Sequence, residues 1–177
     1  MHILPTAICR LLTLSSCPQP KHKFPDQTAS IDYVVKTIED RERDTSRGRA
    51  LYVFTSYNIG KERIFLAVHR ATGKKLYAPP DKVAHLSLCG IDELTGALTE
   101  DPSATNLHLA KWGAVGETWP YFQPNWSKME ELRARHGVEE VIAFVPTGWA
   151  YDGKAEFSTR SRAGLGTIHL VPYSEHR

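Results

Sequence analysis

The chain has 177 residues, of which 41% are hydrophobic and 24% are charged, and its formal net charge is +2. This length allows one ordinary domain with a sizeable core, and the composition argues against a disordered chain. A charge this small says little about partners, because a dedicated nucleic-acid binder usually shows a larger basic excess or a concentrated basic patch. Cys9, Cys17 and Cys89 have no C-x-x-C spacing, so they indicate neither a zinc finger nor a disulfide framework, and a reducing compartment is the simpler interpretation.

The first residues contribute no predicted element. Residues 1–17, MHILPTAICRLLTLSSC, loosely resemble a secretory signal peptide, but Pro5 and Arg10 interrupt the apolar run and no basic segment precedes it. The run is also too short to cross a membrane. We therefore expect residues 1–19 to be disordered or foreign to the fold. Residues 18–27 hold three prolines and predict an extended connector.

Helices and strands alternate in the first half of the chain. The apolar residues of ASIDYVVKTIEDRERD recur at helical spacing, and ALYVFTSY is rich in the β-branched and aromatic residues that strands favour. Glycine after each of the next two helical patterns gives a stop signal. The patterns predict a helix at 28–44, a strand at 50–57, a turn at 58–60, a helix at 61–73, a strand at 74–78 and a helix at 80–90.

The second half continues the alternation around two segments without a clear period. The patterns predict a loop-rich region at 91–105, a strand at 106–112, a helix at 125–137, a strand opening 139–149, an exposed loop at 150–165 and a strand from 166 onward. Strands that alternate with helices predict an α/β fold, with a mostly parallel sheet and flanking helices.

The turn after the first predicted strand carries Gly60 and Lys61. Amide N–H groups at a helix start favour an anion, and Lys61 adds positive charge. The turn is not a Walker A loop, because Thr55 stands where a glycine is required and Glu62 stands where serine or threonine is required. An ordinary structural connection between a strand and a helix accounts for the same residues.

Two further segments offer groups that could bind a ligand. Thr147 and Trp149 lie in FVPTGW, a turn directly after a predicted strand, where ligands of α/β sheets gather. A tryptophan after a turn is also a usual core residue. Arg160 and Arg162 in STRSRAG could contact phosphates, and a solvated loop explains them equally well.

His176 follows the last predicted strand, beside Ser174 and Glu175. Imidazole is a common metal ligand, and the loop after a strand is a usual place for one. A metal site needs three or more ligands, however, and the other histidines are scattered singly along the chain. Spacing alone therefore predicts no complete metal centre, and a frayed tail remains the alternative.

Three segments in this order and spacing, SYNIGKERIFLAV, IAFVPTGW and VPYSEH, resemble the DNA cross-link repair nucleases of the metallo-β-lactamase superfamily. This is the β-CASP branch, which includes Artemis and Apollo. KHKFPDQTASIDYVVKTIE also resembles the segment that opens the domain inserted in these proteins. The resemblance runs from about Pro20 to His176.

The resemblance implies a nuclear 5′-to-3′ DNA exonuclease that acts in interstrand cross-link repair and double-strand break end joining. It implies zinc as the cofactor, 5′-phosphorylated single- or double-stranded DNA ends as the partner, contacts with other repair proteins and no membrane. His176 matches the family's metal ligand. The remaining candidates for contacts with DNA or phosphate are Lys61, Arg63, Thr147, Trp149, Arg160, Arg162 and Ser174.

The resemblance also has departures. The H-x-H-x-D-H metal motif is absent, TLSSC replaces a stretch that carries an acidic residue, and only Arg177 follows His176. We therefore expect a fragment that is inactive alone. Its expected parts are residues 1–19 outside the fold, 20–165 as the β-CASP region, and 166–177 as the first strand of the returning lactamase half.

Two other functions are compatible with the same residues. A non-catalytic module that binds DNA or a partner protein would keep the cleft wall without the metal ligands. A nucleotide-binding α/β domain would use the turn at Gly60 and Lys61, although its phosphate loop is imperfect.

Overall fold

The computed structural model describes residues 25–57, 59–117, 121–148 and 157–174. The helices and strands that it contains are α1 (Gln27–Arg43), a 3₁₀ turn (Thr45–Arg47), β1 (Ala50–Ser56), α2 (Glu62–Thr72), β2 (Leu76–Tyr77), α3 (Pro80–Ser87), α4 (Asp92–Ala97), β3 (Leu98–Thr99), β4 (Leu107–Lys111), β5 (Gly116–Glu117), β6 (Gln123–Pro124), α5 (Trp126–His136), β7 (Glu140–Thr147), β8 (Ser158–Arg162) and β9 (Gly166–Pro172).

A seven-stranded sheet organises this part of the chain, in the strand order β3-β2-β4-β1-β7-β9-β8. The pairings from β3 through β9 are parallel, and β8 runs antiparallel to β9 at the edge. β5 and β6 form a separate two-stranded antiparallel pair. The predicted α/β class, with a mostly parallel sheet and flanking helices, is confirmed.

Both faces of the sheet are covered. Tyr52 and Phe54 of β1 point to one face and pack with apolar residues of α1, α2, α3 and α4. Leu51 and Val53 alternate with them and pack on the other face with Met129 of α5. A central strand that is buried on both faces reads as a continuous apolar run, which is why β1 was recognisable in the sequence.

Helix α1 is fixed to the sheet at both of its ends. The Asp26 carboxylate accepts a hydrogen bond from the Ala29 amide at 2.6 Å and caps the first turn. Ser30 is buried and donates its hydroxyl to the Pro172 carbonyl at the end of β9 (2.6 Å). At the other end, Arg41 Nε donates to Glu140 at the start of β7 (2.7 Å).

Two sequence-based predictions of loops were wrong. The region 91–105 contains α4 and β3, and their short length left no periodic pattern even though Leu94 and Ala97 are fully buried. The segment 150–165 contains β8, whose side chains are mostly exposed. An edge strand of this kind is held by backbone hydrogen bonds to one neighbour, so it shows no apolar alternation.

The predicted division of the chain remains a prediction. The boundary after residue 165 passes between β8 and β9, which pair within one sheet. Residues 1–19 lie outside the described residues. In the described ranges, no helix combines the length and hydropathy that crossing a membrane requires.

Candidate functional site

The carboxyl ends of β1, β4, β7 and β9 meet at one edge of the sheet, because these strands are parallel. We call this the carboxyl edge. Helix α2 begins at the same edge, since it follows β1 after a short turn. Open α/β sheets bind ligands outside the carboxyl ends of their strands, so the geometry marks this edge for a site.

Lys61 lies at the start of α2 in a left-handed backbone conformation, with φ of 74°. Its carbonyl accepts the amides of Ile64 and Phe65 at 2.9 and 3.2 Å, which begins the helix. Its Nζ lies 4.8 Å from the centroid of the Tyr173 ring, within the range of a cation–π contact. Tyr173 in turn donates its amide to the Thr147 carbonyl at 3.3 Å.

A second chain of contacts joins α1, α2 and the end of β9. Exposed Arg63, in the first turn of α2, donates to the side-chain oxygen of Gln27. The Gln27 amide nitrogen donates to the Ser174 carbonyl at 2.5 Å. The structure therefore brings four predicted residues to one edge, namely Lys61, Arg63, Thr147 and Ser174.

The anion at the helix start belongs to the protein itself. The Glu62 carboxylate accepts the Gly60 amide hydrogen bond and also lies 4.0 Å from the Cys89 sulfur. Burial is the main cause that raises the pKa of the Cys89 thiol, and the Glu62 charge adds to it. This internal carboxylate makes the turn a weaker phosphate cradle than its sequence suggests, and it leaves Lys61 as the main positive group there.

Lys82 of α3 lies beneath the carboxyl edge with 3% of its surface exposed. Its Nζ donates to Ser56 Oγ (2.7 Å), the Ser56 carbonyl (3.3 Å) and the Tyr57 carbonyl (2.8 Å). An ammonium has three N–H donors, so these acceptors match it fully. Burial lowers the pKa of Lys82 to about 8, against partial compensation from the charges of Asp81 and Glu62.

Two aromatic residues follow the neighbouring strands β1 and β4. The rings of Tyr57 and Trp112 are stacked, with centroids 4.8 Å apart and planes 15° apart. Lys111, at the end of β4, forms an exposed ion pair with Asp81 (Nζ to Oδ2, 3.0 Å). The hydrogen bond from Lys111 is the main cause that lowers the pKa of the Asp81 carboxyl.

Arg160 and Arg162 lie away from this edge. Both are exposed on β8, where Arg160 donates to the neighbouring Thr159 carbonyl at 2.9 Å. Arg162 pairs with Gly166 at the amino end of β9 and lines a cavity of about 440 Å³ beside Arg47 and other residues. The two remaining predicted residues, Trp149 and His176, lie outside the described residues.

Sequence reasoning missed Lys82, Tyr57, Trp112 and Tyr173. Only Lys82 left a usable signal, because it shares the buried face of α3 with Leu86, four residues later. A lysine in such a position needs acceptors for its N–H groups. The two aromatic residues come together only through the pairing of β1 with β4, which the sequence does not display.

The described residues do not by themselves fit the metal centre that the resemblance implies. Within 25–57, 59–117, 121–148 and 157–174, no group of three or more histidine, cysteine, aspartate or glutamate side chains is placed to hold a metal ion. His169, for example, accepts or donates at Nδ1 to the Tyr33 hydroxyl (2.7 Å) and stacks on Phe144. Burial lowers the pKa of His169 to about 4.

Comparison with known proteins points to one family. Residues 92–177 match the family model described as DNA repair metallo-beta-lactamase. The chain is 40% identical over 158 residues to DNA ligase 6 of Arabidopsis thaliana. It is 33% identical over 168 residues to DNA cross-link repair protein SNM1 of Arabidopsis thaliana, and 29% identical over 163 residues to DNA cross-link repair 1A protein of Homo sapiens.

Each of these matches covers 89% of the chain. The chain spans 11%, 31% and 14% of the three relatives, respectively. The similarity therefore concerns one part of much longer proteins.

Proposed function

The chain belongs to the DNA repair metallo-β-lactamase family, and from this premise we propose that its carboxyl edge forms one wall of the DNA-binding cleft of a repair nuclease. The reaction proposed for the whole protein is 5′-to-3′ exonuclease cleavage of 5′-phosphorylated DNA. Its proposed setting is the repair of interstrand cross-links and double-strand breaks in the nucleus, with zinc as the metal.

The observation that carries the proposal is the convergence of basic and hydroxyl side chains at the carboxyl edge. Lys61 is held over Tyr173, and Arg63 is held by Gln27, so both cations have defined positions beside the ends of β7 and β9. Cations and short polar groups fix a nucleic acid by its phosphates, without reading its sequence. This distribution suits a cleft wall that positions a DNA backbone.

The opposite ends of α2 provide a matched test of DNA binding. Lys61 lies at the carboxyl edge, whereas exposed Lys75 follows the other end of the helix. We expect Lys61→Gln to weaken binding of a 3′-labelled, 5′-phosphorylated oligonucleotide in fluorescence anisotropy. Because each lost phosphate contact releases fewer counterions, the slope of log Kd against log salt should fall by about 0.7 to 0.9. Lys75→Gln should leave both quantities unchanged.

Equal effects of the two substitutions, or an affinity that does not depend on salt, would contradict the proposed edge. Glutamine keeps the β-carbon that lysine already places at positive φ, so the substitution adds no new side-chain restriction on the backbone.

The exonuclease part needs its own measurement. With Zn²⁺ present, a 3′-labelled strand should shorten from its 5′ end, and removal of the 5′ phosphate should slow the shortening. Degradation from the 3′ end, or indifference to the 5′ phosphate, would contradict that part. Salt-dependent binding without degradation would limit the function of this chain to DNA binding.

A further inference from the structure

Tyr57 is an exposed aromatic residue in an ordered setting. Its side chain is 62% exposed, although one face of its ring stacks on Trp112. Trp112 is itself partly buried and packs against the apolar cluster on the α5 side of the sheet. The tyrosine ring is therefore supported from below by a residue of the core, while most of its surface faces solvent.

The backbone that carries this ring is also fixed. The Tyr57 carbonyl accepts a hydrogen bond from buried Lys82 at 2.8 Å, and Lys82 also holds Ser56 directly before it. A side chain with two torsions, a stacked neighbour and a fixed backbone loses little conformational entropy when a ligand covers it. The ring is thus prepared for a flat partner.

The charges near the ring select the kind of partner. Lys111 is adjacent in sequence to Trp112 and exposes 70% of its side chain. Its ion pair with Asp81 is exposed on both sides, and such pairs contribute little, so a phosphate can compete for the ammonium. Lys61 stands four positions after Tyr57 at the same edge. A planar aromatic surface flanked by cations complements a base with its phosphates.

We propose that the ring of Tyr57, supported by Trp112, is a platform on which one unpaired base of single-stranded DNA stacks. The inference rests on the proposed function and adds a contact with the base to contacts with the backbone. Aromatic platforms between cationic groups hold single strands in this way without sequence preference, because every base presents a flat π face. Bases inside a duplex are already stacked, so the platform favours an unpaired segment.

Exposed Ile59 lies two residues away, with 57% of its side chain accessible, and an apolar surface of this kind can also bind protein. The flanking lysines favour DNA, and a protein partner is treated as a competing outcome below.

The test uses the full chain and two oligonucleotides of equal length, each with a 5′ phosphate. One carries 2-aminopurine among thymines, and the other carries abasic residues with the same backbone charge. We expect Tyr57→Leu, which keeps apolar bulk but not planarity, to weaken binding of the first strand roughly 5- to 150-fold. Binding of the abasic strand should not change, and Tyr57→Phe should bind both strands within about twofold of wild type.

Fluorescence of 2-aminopurine gives a direct readout, because stacking on the ring should quench it with wild type and Tyr57→Phe but not with Tyr57→Leu. Equal binding and equal quenching by Tyr57→Leu would overturn the platform. If the Lys61→Gln effect persisted in that case, the proposed function would stand. Loss of all DNA binding in wild type would overturn both proposals.

A shift of sedimenting mass caused by Tyr57→Leu, with DNA binding unchanged, would assign the surface to protein association and also overturn the platform. Thermal melting of each variant shows whether it is folded. Because the Tyr57 contact with Lys82 uses the backbone carbonyl, substitution of its side chain keeps that hydrogen bond available.

Discussion

Raising the pH should stabilise the fold through Lys82, in contrast to the usual behaviour of a lysine that gains a carboxylate partner. Lys82 is 3% exposed, and burial lowers its pKa from the model value of 10.5 to about 8. Between these values the unfolded chain holds a proton that the folded chain has released. Unfolding therefore takes up a proton, and the free energy of unfolding increases with pH over this window.

The size of the effect follows from the same two values. Below pH 8 the ammonium is charged in both states, and the fold carries the full cost of burying it. From pH 7 to pH 9.5 the relief of this cost should add about 2 kcal/mol to stability. Above pH 10.5 the amine is neutral in both states and the pH dependence from this group ends.

The assay is urea unfolding of wild type and of Lys82→Met at several pH values from 7 to 9.5. Subtracting the two free energies removes the contributions of other titrating groups that the variant retains. The difference should move toward wild type by about 2 kcal/mol. Lys82→Arg, which keeps its charge over this range, replaces methionine as the reference if that variant does not fold.

The exposed residue Lys75 supplies the control, since Lys75→Met should give a difference from wild type that does not change with pH. A flat difference for Lys82→Met, or one that moves against wild type as pH rises, would refute the reasoning. Either result would mean that the hydrogen bonds to Ser56 and Tyr57 outweigh burial and keep the ammonium charged.

Three further changes test the frame around the site. Arg41→Met leaves Glu140 without its buried partner and should cost about 3–5 kcal/mol in urea unfolding, and a loss below 1 kcal/mol would contradict this. Gly166→Ala places a β-carbon 1.8 Å from the Val141 carbonyl oxygen, so it should cost more than about 3 kcal/mol, and an unchanged melting temperature would contradict the contact. As pH falls from 6.5 toward 4, the unfolded chain protonates His169 first and about 3 kcal/mol is lost; His169→Gln should flatten this part of the acid profile.

The buried strands could be predicted because their burial determines their composition. β1 and β7 are covered on both faces, so ALYVFTS and EVIAFVPT are almost continuously apolar. β8 lacks that constraint, since its one partner binds it through the backbone and its side chains can remain polar. The same reasoning explains α4, whose burial involves too few residues to produce a helical period.

The candidate site was predictable only where its residues are close in sequence. The turn at Gly60 and Lys61 is local, so its place between a strand and a helix could be inferred directly. The contact of Lys61 with Tyr173 and the stack of Tyr57 on Trp112 join residues that are distant in sequence. They depend on strand order, and the order β4-β1-β7-β9 departs from the order along the chain.

Strand direction then separates candidates that the sequence could not rank. Arg162 and Lys61 are both cations near predicted turns, but β8 runs antiparallel and leaves Arg162 at the amino end of β9. β9 extends over seven residues, so the two edges of the sheet lie about 20 Å apart. One phosphate cannot contact both cations across that distance. The carboxyl edge therefore has to hold a DNA end with its own groups, and Lys61, Arg63 and the aromatic platform are the described groups placed to do so.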